Sequence, residues 1–145
     1  MAWPTGVGAK GNEGVAAQVN QVDGGMGYVE SAYVKGKLQA AALANASGQV
    51  VKPSSATESE ALASIDLGPE LIGGNPNPIK GYPIVTFTWI LAYKSGNGAK
   101  AEVLRKAFSF MLSEQAQGQA PQLGYVTMPP AVIDKAKAAV ALIGE

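Results

Sequence analysis

The chain has 145 residues, 47% of them hydrophobic, enough for one ordinary domain with a buried core, which excludes wholesale disorder. Lys and Arg number 11 and Asp and Glu number 11, so the formal net charge is zero, and no basic field draws nucleic acid or an anionic membrane. Cysteine and histidine are both absent, which removes disulfides, thiolate nucleophiles, the commonest general base and the commonest metal ligand.

Residues 3–14 carry Gly6, Gly8, Gly11 and Gly14 and read as a short extended piece followed by a loop. Asn12 is placed to cap a helix that starts near Glu13, whose carboxylate suits the positive helix end. Val15, Val19 and Val22 share one face of that helix, and Asp23-Gly24-Gly25 stops it. Residues 26–33 read as a strand that turns at Lys35-Gly36. Residues 38–43 are helical by propensity, yet an extended reading gives Gln49-Val50-Val51-Lys52 a hairpin partner across Ser47-Gly48. A capping box opens a helix over 54–64, with Ser54 or Ser55 as the cap and Glu58 in the first turn.

Residues 67–81 hold a run of Gly and Pro and read as a linker. The strongest strand follows at 82–93. Val85, Phe87, Trp89, Leu91 and Tyr93 alternate with Ile84, Thr86, Thr88, Ile90 and Ala92, so both faces are largely apolar, as in a central strand covered by helices. Lys94 to Gly98 form a turn, and 101–117 form a helix with Val103, Leu104, Ala107, Phe108, Met111 and Leu112 on one stripe. Gly118 to Pro121 break it, 125–130 are extended, and Pro130 suits the first turn of a last helix over 131–142.

Chemistry-bearing groups are few. Gly11 and Asn12 at a helix start could offer backbone N–H groups to an anion, or simply serve the cap and turn. Thr86 and Thr88 could present hydroxyls to phosphate, or fill a buried strand as β-branched residues. The sole arginine, Arg105, sits inside a helix, a poor position for a phosphate fork. Glu58 and Glu60 do not define an acid–base pair, and no nucleophilic triad, metal cluster or dinucleotide fingerprint can be assembled, so an enzyme ranks last. No cofactor is implied. No apolar run approaches the roughly 20 residues of a membrane span. No signal peptide precedes Trp3, and Met1-Ala2 reads as the start of a fragment.

A series of phrases runs through these elements: Trp3-Pro4-Thr5-Gly6-Val7-Gly8, Lys10-Gly11-Asn12-Glu13-Gly14-Val15, Gly27-Tyr28-Val29-Glu30, Tyr82-Pro83-Ile84-Val85 and Leu123-Gly124-Tyr125-Val126. In this order they resemble the C-terminal half of PstS-type phosphate-binding proteins, the extracytoplasmic substrate-binding components of ABC phosphate importers. The resemblance implies an α/β fold, part of a two-lobed type II periplasmic-binding-protein-like architecture with sheet strands covered by helices. On that basis residues 1–79 are the later half of the second lobe. Residues 80–83 are the crossing, with a hinge at Gly81, Tyr82 and Pro83, and 84–145 are the C-terminal part of the first lobe. It further implies a periplasmic parent protein, inorganic phosphate as ligand and the membrane permease of the importer as partner. The family's anion-holding loops, including its Arg-x-x-x-Ser-Gly-Thr segment, have no counterpart here, so no direct phosphate ligand is carried over. Two expectations follow. In one, the chain is a receptor fragment that requires the missing N-terminal half. In the other, it is a self-associating fragment that covers its open edges with a second copy and binds no phosphate.

Overall fold

A computed structural model describes residues 5–75 and 77–144. The opening of the first phrase, Trp3-Pro4, and the Met1-Ala2 start therefore lie outside the described residues. The chain divides into two compact units, Met1–Ala40 and Ala41–Glu145. The described secondary structure is mixed, mainly helical with one small antiparallel sheet.

In the first unit, α1 spans Gly11–Gln21. It starts earlier than its sequence suggests: Lys10 occupies the cap position and no side chain caps the end. Asn12 lies inside the helix, where its Oδ1 instead accepts the Glu30 N–H at 3.2 Å. Gly27 lies against the Val15 and Val19 face, and a Cβ there would stand 2.9 Å from both side chains, so only glycine lets the returning chain come this close. The strand expected over 26–33 is absent. That stretch is irregular and ends in a 3₁₀ turn at Ser31–Tyr33, because no described strand offers it a ladder.

The second unit begins with a hairpin of β1 (Leu43–Ala44) and β2 (Val50–Val51), with Leu43 opposite Val51 and Ala44 opposite Val50. The expected pairing across Ser47-Gly48 thus forms, shorter than its apolar run, and Gly48 takes the left-handed conformation at φ 79° that closes it. Asn45 organises the tip. Its buried Oδ1 accepts from the Ser47 N–H, the Ser47 hydroxyl and the Gln49 N–H, at 3.1, 2.7 and 3.1 Å.

Next, α2 (Ser55–Ala63) opens with Ser54 as its cap and Thr57 as the returning partner of the capping box. Beyond the linker, the helix expected over 101–117 is broken in two, α3 (Ala101–Met111) and α4 (Glu114–Gln117). Ser113 causes the break by adopting extended backbone and capping α4 through the Ala116 N–H. The last helix, α5 (Pro130–Ala141), starts on Pro130 as expected and packs against α3. Leu62, Ile65, Leu67 and Val132 form the buried core, with Leu71, Val85, Phe87, Val126 and Met128 packed around it.

Residues 82–93, expected as the central strand, are not one. They have no regular secondary structure, bend at Pro83 and Ile84, and leave Ile84, Ile90, Leu91 and Tyr93 exposed. The sequence periodicity survives only where there is a core to meet, at Val85 and Phe87. A strand requires a neighbour to take its N–H and C=O groups, and none is present among the described residues.

The linker ends in a close dock. Gly81 has φ 77°, and a Cβ there would lie 2.4 Å from the Thr57 carbonyl oxygen and 2.6 Å from the Ala61 nitrogen on α2. Gly81→Ala is therefore expected to destabilise the second unit by at least about 2 kcal/mol in urea unfolding, combining backbone strain with a backbone clash. Gly48 has a similar φ of 79° but open space around its Cβ position. Gly48→Ala is expected to cost only about 1 kcal/mol. Equal losses would show that the contact with α2 contributes nothing.

Candidate functional site

Gly11 and Asn12 sit in the first unit, and the suggested hinge residues Gly81, Tyr82 and Pro83 in the second. At the start of α1, Gly11 has φ 66° and is exposed. A Cβ on Gly11 would lie 3.2 Å from Glu13 Oε2, so a carboxylate stands beside the positive end of the helix. The Tyr33 hydroxyl donates to Glu13 Oε1 at 3.1 Å. Asn12 is engaged by the Glu30 N–H. This terminus already holds an anionic group of its own.

In the second unit, Gly81, Tyr82 and Pro83 are part of a dense backbone junction. The Tyr82 N–H donates to the Thr57 carbonyl at 2.9 Å. The Ala46 N–H donates to the carbonyl of the fully buried Pro78 at 3.0 Å. The Asn45 side-chain amide reaches the Gly81 carbonyl at 3.5 Å. The Tyr82 hydroxyl donates to the Ala41 carbonyl at 3.2 Å. The proposed hinge residues thus touch α2, the hairpin tip and the segment before β1. Sequence reasoning did not single out Asn45; its place in Asn-Ala-Ser-Gly, a turn-forming run, is the signal that marks it.

Glu58, buried on α2, lies near Tyr82, while Glu60 is exposed; two residues apart on a helix, they face different directions and make no pair. Thr86 donates to the Phe87 carbonyl beside it, and Thr88 lines an apolar cleft of about 370 Å³ between residues 87–92 and helices α3 and α5. Trp89 Nε1 donates to the Leu71 carbonyl at 2.7 Å, and its ring meets Phe87 edge-on at 6.2 Å. The Arg105 guanidinium is held by the Ile143 carbonyl. Gly11 and Asn12 belong to the first unit, and Thr86, Thr88 and Arg105 to the second. Among the described residues no three acidic groups converge as a metal site, and no helix is long and apolar enough to cross a membrane.

No protein-family model matches the chain. Individual proteins do. A phosphate-binding protein PstS from Xylella fastidiosa strain 9a5c is 37% identical over 143 residues, covering 95% of this chain and 39% of the relative. One from Pasteurella multocida is 38% identical over 145 residues, covering 95% of this chain and 42% of the relative. One from Methanocaldococcus jannaschii is 31% identical over 170 aligned positions, covering 99% of this chain and 42% of the relative. The chain is homologous to a part of the PstS-type phosphate-binding proteins. It spans about two-fifths of the length of these relatives. Bacterial and archaeal PstS proteins both match it nearly end to end, so the PstS relationship does not rest on one short motif.

In the second unit the fold changes the titration of Tyr82. Burial, and secondarily the Glu58 carboxylate, push its pKa above the ordinary 10.0 because both disfavour the phenolate. A raised pKa means the folded state holds the proton more tightly. The associated stability is complete below the unfolded value and is lost as pH rises through the folded one. Thermal melts between pH 8 and 11 are expected to show the parent losing stability at the alkaline end that Tyr82→Phe retains. Parallel losses in the two proteins would remove Tyr82 as the cause.

Proposed function

We propose that this chain is part of a phosphate-binding receptor of an ABC-type phosphate importer and that it acts in transport, not catalysis. The observation that carries the reading is identity of 37–38% along 95% of the chain to proteins named for phosphate binding. On this reading the chain supplies the C-terminal part of a two-lobed, extracytoplasmic receptor, and the membrane permease of the importer is the receptor's partner. The direct phosphate ligands come from the part of the receptor outside the match. Two features support that placement. The α1 terminus is already occupied by Glu13, and the sole arginine is engaged by a backbone carbonyl. Gly11 and Asn12 are then a helix start and not an anion site.

Residues 80–83 form one of the crossings between lobes in this reading, with 1–79 and 84–145 contributing to different lobes. What supports it is Gly81, which lacks the Cβ that would restrict the dihedral changes a hinge requires. A single-chain chimera joins the remaining part of the Pasteurella multocida relative to this chain. On adding phosphate its radius in small-angle scattering is expected to shrink, and an unchanged radius would remove the hinge.

Isothermal titration calorimetry tests the function itself. The chain alone is expected to give no binding heat at millimolar inorganic phosphate, and the chimera to bind at about micromolar affinity or tighter. Tight binding by the chain alone would move the ligands into these 145 residues. A folded chimera that ignores phosphate would overturn the receptor reading.

A further inference from the structure

Asn97 is the one asparagine of the chain that glycine follows. Asn75 and Asn77 precede proline, whose nitrogen carries no hydrogen, and Asn12, Asn20 and Asn45 precede residues whose side chains shield the next amide. An Asn-Gly pair is the arrangement most open to attack by its own backbone. The Gly98 nitrogen adds to the Asn97 side-chain carbonyl carbon, forming the N–Cγ bond. The side-chain nitrogen then leaves as ammonia, taking up the proton that the Gly98 nitrogen gives up. Water opens the resulting cyclic imide at either carbonyl and leaves aspartate or isoaspartate at position 97. Water is the only co-reactant.

The nucleophile is available. Gly98 opens the 3₁₀ turn Gly98–Lys100, so its N–H lies outside that turn's own bonds. The restraint falls on Asn97, which is half-buried, and it is double. Its backbone has φ −84° and ψ −14°. At that ψ the tetrahedral Cα keeps Cβ well away from the Gly98 nitrogen about the Cα–C bond, whereas the cyclic imide needs the two nearly eclipsed. Both side-chain amide protons are also committed, one to the Tyr93 carbonyl and one to the Gly144 carbonyl, each at 2.8 Å. These bonds close a latch on the chain end, where the Gly144 N–H returns to the Lys94 carbonyl at 2.8 Å. A carboxylate is acceptor-only at neutral pH. At position 97 it faces two carbonyl oxygens with nothing to donate, and repulsion replaces both bonds.

We infer that Asn97-Gly98 is a latent deamidation site, gated by the latch that Asn97 itself closes, and that its conversion releases the chain end irreversibly. While the latch is shut the pair is protected. Each opening exposes it, and conversion removes the donor that would shut it again. The inference concerns the second unit and is independent of the receptor reading.

Peptide mass spectrometry of the chain aged in mildly alkaline buffer tests the gate. The readout is the mass gain of deamidation, which isomerisation at Asp23-Gly24 does not produce. A synthetic peptide of residues 95–100 gives the unrestrained rate. In the folded chain Asn97 is expected to convert at least about tenfold more slowly than in the peptide. A chain ending at Ile143 lacks one of the two acceptors and is expected to convert at least about threefold faster than the parent. Equal rates in peptide and folded chain overturn the gate, as does a shortened chain that keeps its cooperative melt and converts no faster. Faster conversion at Asn12, Asn20 or Asn45 in the urea-unfolded chain overturns the choice of site. The release is read separately by hydrogen exchange in Asn97→Asp. Its C-terminal peptide is expected to exchange at least about tenfold faster than the parent's. Unchanged exchange there overturns the latch.

Discussion

The second unit depends on how closely its backbone approaches α2 at Gly81. A Cβ at this position would overlap the Thr57 carbonyl, and with Gly81 in place the following Tyr82 N–H reaches that same carbonyl. Asn45 ties the opposite side of the junction: its carbonyl oxygen collects three donors from the hairpin tip and its amide faces the Gly81 carbonyl. A buried amide with both ends engaged fixes geometry more tightly than apolar contact can, because each misplaced partner would leave a polar group unsatisfied. Hairpin, α2 and the end of the linker therefore hold one another in a single arrangement. The core of Leu62, Ile65, Leu67 and Val132 builds outward from it.

The end of the chain is held by polar groups in the same way. Asn97 donates from one amide group to the carbonyls of Tyr93 and Gly144, and the Gly144 N–H returns to the Lys94 carbonyl. Gln117 bridges the Met111 carbonyl and the Met128 N–H, joining the end of α3 to the passage before α5. Helices α3 and α5 are thus positioned by backbone-directed side chains around a cleft that apolar packing does not fill. The shape of this region is set before its apolar volume is.

Local signals in the sequence were the most legible. The capping box of α2, the proline start of α5 and the turn at Ser47-Gly48 are decided within a few residues, and all three appear where their chemistry places them. Legibility fails where the deciding partner is distant. Asn12 has the composition of a cap, but Glu30, 18 residues away, draws its side chain off. Ser113 competes with helix continuation by capping, so a stripe that reads as one helix becomes two. Residues 82–93 are the sharpest case. Their alternation is strong, yet periodicity encodes which faces are apolar and cannot supply the strands that complete a ladder. Gly81, Tyr82 and Pro83 were singled out as a hinge by the family resemblance, whereas their contact with α2 and Asn45 arises from tertiary packing that no spacing rule reveals.

The electrostatics bear on the proposed division of labour between this chain and the rest of a receptor. A dehydrated anion requires donors that are preorganised and otherwise unengaged, since any donor already paired must break a bond to serve it. The strongest such groups here have internal partners. Arg105 secures the Ile143 carbonyl, Lys135 donates to the Leu67 carbonyl at 2.7 Å, and Lys94 pairs with Glu70 at 3.2 Å. The positive end of α1 faces Glu13. With a formal net charge of zero there is also no broad field to compensate for a weak local site. The described residues make a scaffold whose polar groups mostly hold its own backbone. Such a scaffold is suited to positioning further chain, which accords with the proposal that the phosphate donors lie outside the matched part.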